Sequence, residues 1–293
     1  MKIAITGATG FIGQAIGDYL ASSSPHQVVG FSRNPPIDDT AVDEWRGTQT
    51  LDFSGCDAVI HLAGESLFGW WNHAKKQRIL QSRVQMTRRV VDALAKEQGV
   101  KCLVAASAIG YYGNTGETLC DENSLPGSGF LAEVCRAWEA ESKRAEPLRT
   151  VRLRFGFVIG RAGGAFPLIR SIFRAGLGGA LGSGEQWMSC VHVEDVARLA
   201  VFCVEHPEMS GAVNAVMPSP IRNRDFTHEV GRALHRWTIL PAPAFALRWA
   251  LGDLSHLLLD SQYVVPTCAQ QAGYSFSYPT VREALENSCG FRC

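Results

Sequence analysis

Nowhere does this 293-residue chain hold an apolar run near the roughly 20 residues needed to span a bilayer. Neither charge is in excess, since 28 Lys and Arg balance 28 Asp and Glu. Nucleic-acid binders carry a basic surplus that displaces counterions, so general nucleic-acid binding is not expected. Internal repeats and low-complexity tracts are absent. With 46% hydrophobic and 19% charged residues, the chain has the apolar content that disordered sequences lack. The apolar amino terminus is broken at once by Thr6, Gly7 and Gly10 and shows no cleavage site, so no export signal is read there. Nine cysteines are scattered without a CxxC pair, and they read as buried small hydrophobes in a reducing compartment. Cys289 and Cys293 are near neighbours, but no His or Cys cluster at zinc spacing accompanies them, and no metal is expected. No GxSxG elbow marks a serine hydrolase. These absences leave a cytoplasmic α/β enzyme or binding protein, built as one large domain or two ordinary ones.

What is present is an alternation of apolar runs and helical stretches. Lys2 to Ile5 runs into the turn Thr6-Gly7-Ala8-Thr9-Gly10-Phe11-Ile12-Gly13, and a helical stretch follows to about Ser23. Further strands are expected at Gln27 to Ser32, Asp57 to Ala63, Val100 to Ala106 and Thr150 to Phe155, with a last one at Gly211 to Val216. The first of these are continuous apolar runs, as a sheet covered on both faces requires. Helices are expected at about Ala74 to Glu97, where Leu80, Val84, Val91 and Leu94 form one stripe, at Phe130 to Glu146, and at His192 to Glu205. The pattern predicts a Rossmann-type doubly wound parallel sheet. Residues 1–160 would form the dinucleotide-binding domain, with 190–217 returning to it. Residues 161–189 and 218–293, rich in glycine and then in proline-punctuated helices, would form a smaller, mainly helical substrate lobe.

Gly7, Gly10 and Gly13 open a helix directly after the first strand. That position needs glycine for a tight turn, for close backbone approach to a pyrophosphate, and for helix–strand packing. The helix start offers free amides and partial positive charge to phosphates. At the end of the second strand the chain reads Phe31-Ser32-Arg33, with no acid until Asp38. An acid there would hold the ribose 2′-hydroxyl of NAD; an arginine suits a 2′-phosphate, so NADP(H) is the expected cofactor. A solvated loop arginine is the alternative. Asp52 would supply an adenine-edge acceptor or be a surface aspartate.

Six segments, TGATGFIG at the start, HLAG at 61–64, SRVQMT at 82–87, SAIGYYG at 107–113, RFGFVIG at 154–160 and HVEDVA at 192–197, together resemble the extended short-chain dehydrogenase/reductases. The chain is similar to their atypical branch, the epimerase family, typified by YfcH-like sugar-nucleotide epimerase proteins. Residues 262–266 and 272–276 resemble its C-terminal segment. The resemblance implies a pyrophosphate lined by Gly7, Gly10, Phe11 and Ile12, and a 2′-phosphate held by Ser32 and Arg33; Thr9 and Gly13 of the same turn are further cofactor-binding candidates. It implies that Leu62, Ala63 and Gly64 border the ribose and nicotinamide, that Arg83 reaches the cofactor, and that Val158 touches the nicotinamide. Arg83 also fits a snorkelling surface residue.

The resemblance departs from its family at one place. Reductases of this type use a Tyr whose phenol exchanges a proton with substrate, and a Lys four residues on that favours the phenolate. None of the six tyrosines has a Lys at that spacing. Ser107, Tyr111 and Tyr112 are the remaining catalytic candidates, with covering of the cofactor edge as the alternative for the tyrosines. Glu65 is a further acid/base candidate or a capping carboxylate. Trp70, Trp71 and Trp187 are pocket-wall or packing residues, and His192 and Asp195 fit helix capping and core hydrogen bonding. The expected function is NADP(H)-dependent oxidoreduction or epimerisation of a small polar or nucleotide-sugar-like substrate. A non-catalytic NADPH-binding sensor or interaction protein is the rival. No membrane or nucleic-acid partner is expected, and a second copy of the chain is the one macromolecular partner considered.

Overall fold

The computed structural model describes residues 1–36, 40–67 and 69–290. Strand β1 (Lys2–Thr6) leads into helix α1 (Phe11–Ser23), followed by β2 (Gln27–Ser32), β3 (Glu44–Gly47) and β4 (Ala58–His61). Helix α2 (His73–Leu94) precedes β5 (Cys102–Ala108), and α3 (Phe130–Lys143) precedes β6 (Arg149–Phe155) and β7 (Phe157–Ile159). Then come α4 (Phe166–Arg174), β8 (Trp187–Met188), β9 (Cys190–His192), α5 (Val193–Glu205) and β10 (Gly211–Ala215). The remainder holds β11 (Ile221–Arg222), α6 (Asn223–Leu234), α7 (Ala244–Leu251), α8 (His256–Leu259), α9 (Thr267–Gln271) and α10 (Val281–Cys289).

Seven strands form one parallel sheet in the order β10-β6-β5-β4-β1-β2-β3. The order reverses between β1 and β4, and ligands of such sheets lie in the crevice at that switch, outside the carboxyl ends of the strands. The continuous apolar strands conceal a two-residue period. Ile3, Ile5, Ile60 and Val104 pack toward the α1 and α5 side, whereas Ala4, Val59, Leu103 and Ala105 pack with Val90, Val91 and Leu94 of α2. Both faces are dry, so both sets of side chains must be apolar. A separate core joins Phe166 and Phe173 of α4 to Phe226 and Val230 of α6 and Val281 and Leu285 of α10.

The structure corrects several sequence expectations. Strand β3 was not foreseen, because Glu44 and Arg46 give it no apolar run. Its charges pair instead: Glu44 accepts from Lys2 and Arg46, each at 2.6 Å. Trp45 lies over Gly30, where a Cβ would approach the indole to 2.6 Å. The short strands β7, β8, β9 and β11 were also unforeseen, being two or three residues long. On α2 the buried residues are Lys75, Ile79, Thr87, Val90, Val91 and Leu94, while Leu80 and Val84 sit half-buried on the shoulder of the stripe. Helix α3 ends at Lys143 and α2 at Leu94, each three residues short of its expected end.

Asp195 fastens the C-terminal segment to α5. Fully buried, it accepts hydrogen bonds from the Ser277 and Tyr278 amides at 2.8 Å each and from the Tyr274 hydroxyl at 3.2 Å. His192 caps the same helix, its Nδ1 accepting from the Glu194 amide at 3.3 Å. Both residues thus take the structural roles expected of them.

Candidate functional site

The turn between β1 and α1 is built around missing side chains. Gly7 adopts φ +77°, and a Cβ there would come within 3.0 Å of the Ala63 backbone nitrogen. At Gly13 a Cβ would sit 2.3 Å from the Gly7 carbonyl oxygen, so the helix can approach the strand only with glycine. Gly10 is the N-cap of α1 and donates to the Gly7 carbonyl at 2.9 Å. No side chain caps this helix, and its first turn holds no acid. The first amide bonded back into it is that of Gln14, to the Gly10 carbonyl at 2.8 Å. The preceding amides keep the orphan donors of a helix start, together with the positive end of its dipole. That is a receptor for an anion of phosphate type. Thr9 is exposed beside these donors, and Ile12 is half-buried.

The Phe11 ring does something its sequence context did not announce. Cβ atoms added to Gly160 or Gly163 would reach within 2.5 Å of it, and one on Gly164 within 3.2 Å. The glycine-rich loop after β7 therefore seats on Phe11, so that Phe11 offers its backbone to the turn and its ring to the loop. Val158, in β7 just before that loop, is half-buried and paired with Val191 of β9.

At the end of β2, Ser32 is buried, and its Oγ accepts from the Asn34 amide at 3.2 Å. Arg33 is exposed and has no hydrogen bond or ion pair among the described residues. Asp38 lies outside the described residues. Asp52 is exposed and accepts from the Ser54 amide at 2.9 Å, which makes it a turn-capping carboxylate.

Across the turn runs the segment Leu62-Ala63-Gly64. Leu62 and Ala63 are half-buried and Gly64 is exposed, and the Leu62 amide donates to the Thr6 carbonyl at 3.0 Å. Arg83 lies along it, with Cγ 3.6 Å from where a Gly64 Cβ would be. Its Nη1 donates to the carbonyls of Glu65 and Ile79 at 3.1 and 3.2 Å, and the guanidinium faces the Trp138 ring at 5.1 Å. Burial pushes its pKa below the ordinary arginine value, and no carboxylate pairs with it among the described residues. Glu65 pairs instead with the buried Lys75 at 2.9 Å, and that hydrogen bond holds its carboxyl below the usual range, so Glu65 is a fixed anion. Beneath them His61 is fully buried between Thr6 Oγ1 at 2.6 Å and Thr87 Oγ1 at 3.0 Å. Burial lowers its pKa from 6.5 to about 4, so the ring is neutral.

Ser107 and Tyr112 occupy a different setting. Ser107 Oγ donates to Glu139 Oε1 at 2.7 Å, and Glu139 takes a two-pronged contact from Arg154, at 2.7 and 2.8 Å. Arg154 also donates to the Tyr112 hydroxyl at 2.7 Å, and that hydroxyl donates to Asn214 Oδ1 at 2.8 Å. Glu122 closes the network by accepting from the Asn214 amide at 2.9 Å and the Cys268 amide at 3.2 Å. Burial raises the Tyr112 pKa well above that of a free phenol. Tyr111 is half-buried, and the Arg154 guanidinium lies 3.6 Å from its ring centroid. The structure thus brings the three catalytic candidates together but commits the hydroxyls of Ser107 and Tyr112 to internal partners. Sequence reasoning missed Glu139, Arg154, Glu122 and Asn214. One signal was available: Glu139 falls on the apolar stripe of α3 with Ala132, Cys135, Trp138 and Ser142, where a charge needs a partner.

The three tryptophans separate. Trp71 is buried edge-on against Phe130 at 5.5 Å, and Trp70 is exposed. Trp187 is sandwiched between Tyr263, stacked at 4.1 Å, and the Arg222 guanidinium at 4.0 Å, so neither of its faces is free to stack on a ligand.

Residues 3–216 match the NAD dependent epimerase/dehydratase family, and residues 242–288 match a domain of unknown function, DUF1731. A chloroplastic epimerase family protein SDR39U1 homolog of Arabidopsis thaliana is 35% identical, over 97% of this chain and 86% of its own. The epimerase family protein YfhF of Bacillus subtilis is 36% identical over 97% of both chains. The crystal structure of human epimerase family protein SDR39U1 (isoform 2) with NADPH superposes with a TM-score of 0.90 at 31% identity, covering 99% of this chain and all of the other. With its switch-point glycine turn, its parallel sheet and its full-length relatives, the chain belongs to the NAD dependent epimerase/dehydratase family.

Proposed function

We propose that the chain binds NADP(H) at the carboxyl ends of β1, β2 and β4 and serves oxidoreduction, or epimerisation through a transient keto intermediate, of a small polar or nucleotide-sugar-like substrate. The observation that carries this reading is the uncapped, acid-free start of α1, which glycines without a Cβ allow to pack closely against the end of β1. In this reading the amides from Gly7 to Gly13, with the Thr9 hydroxyl, hold the pyrophosphate. Ser32 and Arg33, which is unpaired among the described residues, take the 2′-phosphate. Leu62, Ala63 and Gly64 border the ribose and nicotinamide with Val158 opposite, and Arg83 supplies a desolvated cation to the same cleft. The NADPH in the human relative's structure supports the choice of coenzyme.

When bound, NADPH supplies a hydride. The protein's part is to place the substrate and to move a proton at its oxygen. Tyr111 is the candidate that combines a phenol with partial exposure, held in place by Arg154 under its ring. Ser107 and Tyr112 act through the buried network that fixes the loop carrying Tyr111. The test is calorimetry of ligand-free protein with NADPH and NADH, followed by NADPH oxidation across carbonyl compounds and nucleotide sugars. Tight NADPH binding with turnover that Tyr111→Phe removes supports the reading. Absence of heat with either coenzyme overturns it.

A second reading is a non-catalytic NADPH sensor or interaction protein. It is favoured by the internal commitment of Ser107 and Tyr112 and by the missing Tyr–Lys pair. NADPH binding without oxidation of any panel member selects it.

A further inference from the structure

Nine of the thirteen large apolar side chains exposed among the described residues fall within 168–182 and 236–257. Helix α7 has no buried residue; its Phe245 is 75% and Trp249 88% exposed, and Trp237, a few residues upstream, is 83% exposed. The two stretches are stitched into one surface. Leu181 bridges Ala242, the Gly182 amide donates to the Ala242 carbonyl at 2.9 Å, and Arg236 Nε donates to the Arg174 carbonyl at 3.2 Å. An apolar surface of this breadth is uncommon on a protein that contacts only water.

Its charges that are unpaired among the described residues have one sign, since Asp253, the acid within these stretches, is paired with Lys76. From Arg161 to Gly184 and from His235 to Gly252 the chain has Arg161, Arg170, Arg174, Arg236 and Arg248 and no Asp or Glu. Elsewhere ten arginines pair with carboxylates, but none of these five does so among the described residues. Beside Trp237 a cavity of about 490 Å³ is lined by His228, Arg232, His235 and Arg236. A short helix with bare aromatics, flanked by arginines, matches what lies flat in a bilayer interface, where indole rings sit at headgroup depth. Clustered guanidiniums are drawn to anionic lipid. A second copy is a poor occupant, because a two-fold contact would set this cationic face against itself.

We infer that this face docks peripherally on an anionic lipid bilayer, with Trp237, Phe245 and Trp249 entering the interface and the arginines meeting lipid phosphates. Such a contact needs no spanning helix, and none of the described helices is long and apolar enough to be one. The inference is independent of the coenzyme reading.

The experiment is co-sedimentation of the full chain with vesicles of phosphatidylcholine alone and with vesicles one third phosphatidylglycerol, at low and high salt. Sedimentation equilibrium is run in parallel. Retention by the anionic vesicles only, weakened by salt, is expected. Phe245→Ser with Trp249→Ser, and separately Arg174→Gln with Arg248→Gln, should each lower partitioning about tenfold. Because these side chains are solvent-facing, unchanged circular dichroism and melting serve as the folding control. Equal retention by neutral vesicles, no retention, or a dimer that the Phe245→Ser with Trp249→Ser variant dissolves would each overturn the inference.

Discussion

Two polar regions flank the carboxyl ends of the sheet, and they are built on opposite principles. The cluster of Ser107, Tyr112, Glu139, Arg154, Asn214 and Glu122 is closed, each hydroxyl, carboxylate and guanidinium meeting partners within the protein. The region formed by the glycine turn, Ser32, Arg33 and Arg83 is open, with uncapped helix amides, a surface arginine unpaired among the described residues and a half-buried guanidinium bonded to two carbonyls. A closed network stores stability and fixes geometry, because any member removed strands the others. An open set of donors adds little to the stability of the fold and is free to meet an incoming anion. On the proposed reading, the contrast separates what holds the fold from what would receive a ligand, although both are rich in residues that look catalytic.

The largest effect is expected from Glu139→Gln, which leaves Arg154 buried without its anion. Breaking such a pair costs about 3–5 kcal/mol, read as a fall in unfolding free energy in urea. A loss under 1 kcal/mol would mean the network is not the closed unit described. Next comes His61. Between pH 6.5 and about 4 the unfolded chain takes up a proton that the folded ring refuses. Stability should therefore decline as pH falls through that window, by about 3 kcal/mol in total. Denaturant titrations across pH, with the His61 ring followed by NMR, test this; a ring that titrates near 6.5 in the folded state would refute it. Arg33→Ala should weaken NADPH binding by about 1.5–3 kcal/mol, since a charge-assisted hydrogen bond is lost, and leave NADH binding and melting temperature nearly unchanged. Equal loss for both coenzymes would contradict its assignment to the 2′-phosphate. Smallest is Tyr112→Phe, which deprives Arg154 and Asn214 of one partner and should lower stability by about 1–2 kcal/mol while sparing coenzyme affinity. Together the last two substitutions dissociate coenzyme affinity from stability.

Legibility in the sequence followed distance along the chain. The β1–turn–α1 unit is local: three glycines at spacing three, each with a steric reason, within one dozen residues. Arg33 was readable as a candidate because it directly follows a strand whose end faces the ribose in dinucleotide-binding folds. The closed network was not readable, since Glu139 and Arg154 are 15 residues apart and Tyr112 and Asn214 are 102 apart. No periodicity argument joins such positions; only the strand order β10-β6-β5 does. Strand β3 escaped because its stability comes from ion pairs with β1 and from a tryptophan seated on Gly30 rather than from its own apolar content. The stripe of α2 was displaced toward Leu80 and Val84 because polar Lys75 and Thr87, buried through their partners Glu65 and His61, do not register as core residues.

Arg83, a half-buried cation whose Nη1 meets two carbonyl oxygens, would tie the lifetime of the molecule to its metabolic surroundings on the proposed reading that the coenzyme binds beside it. An anionic coenzyme that settles beside it is selected by the native chain and ignored by the denatured one. A hundredfold excess over Kd then adds about 2.7 kcal/mol to the folded state. On that reading, proteases that attack transiently opened molecules would clear this chain fastest wherever reduced pyridine nucleotide runs short.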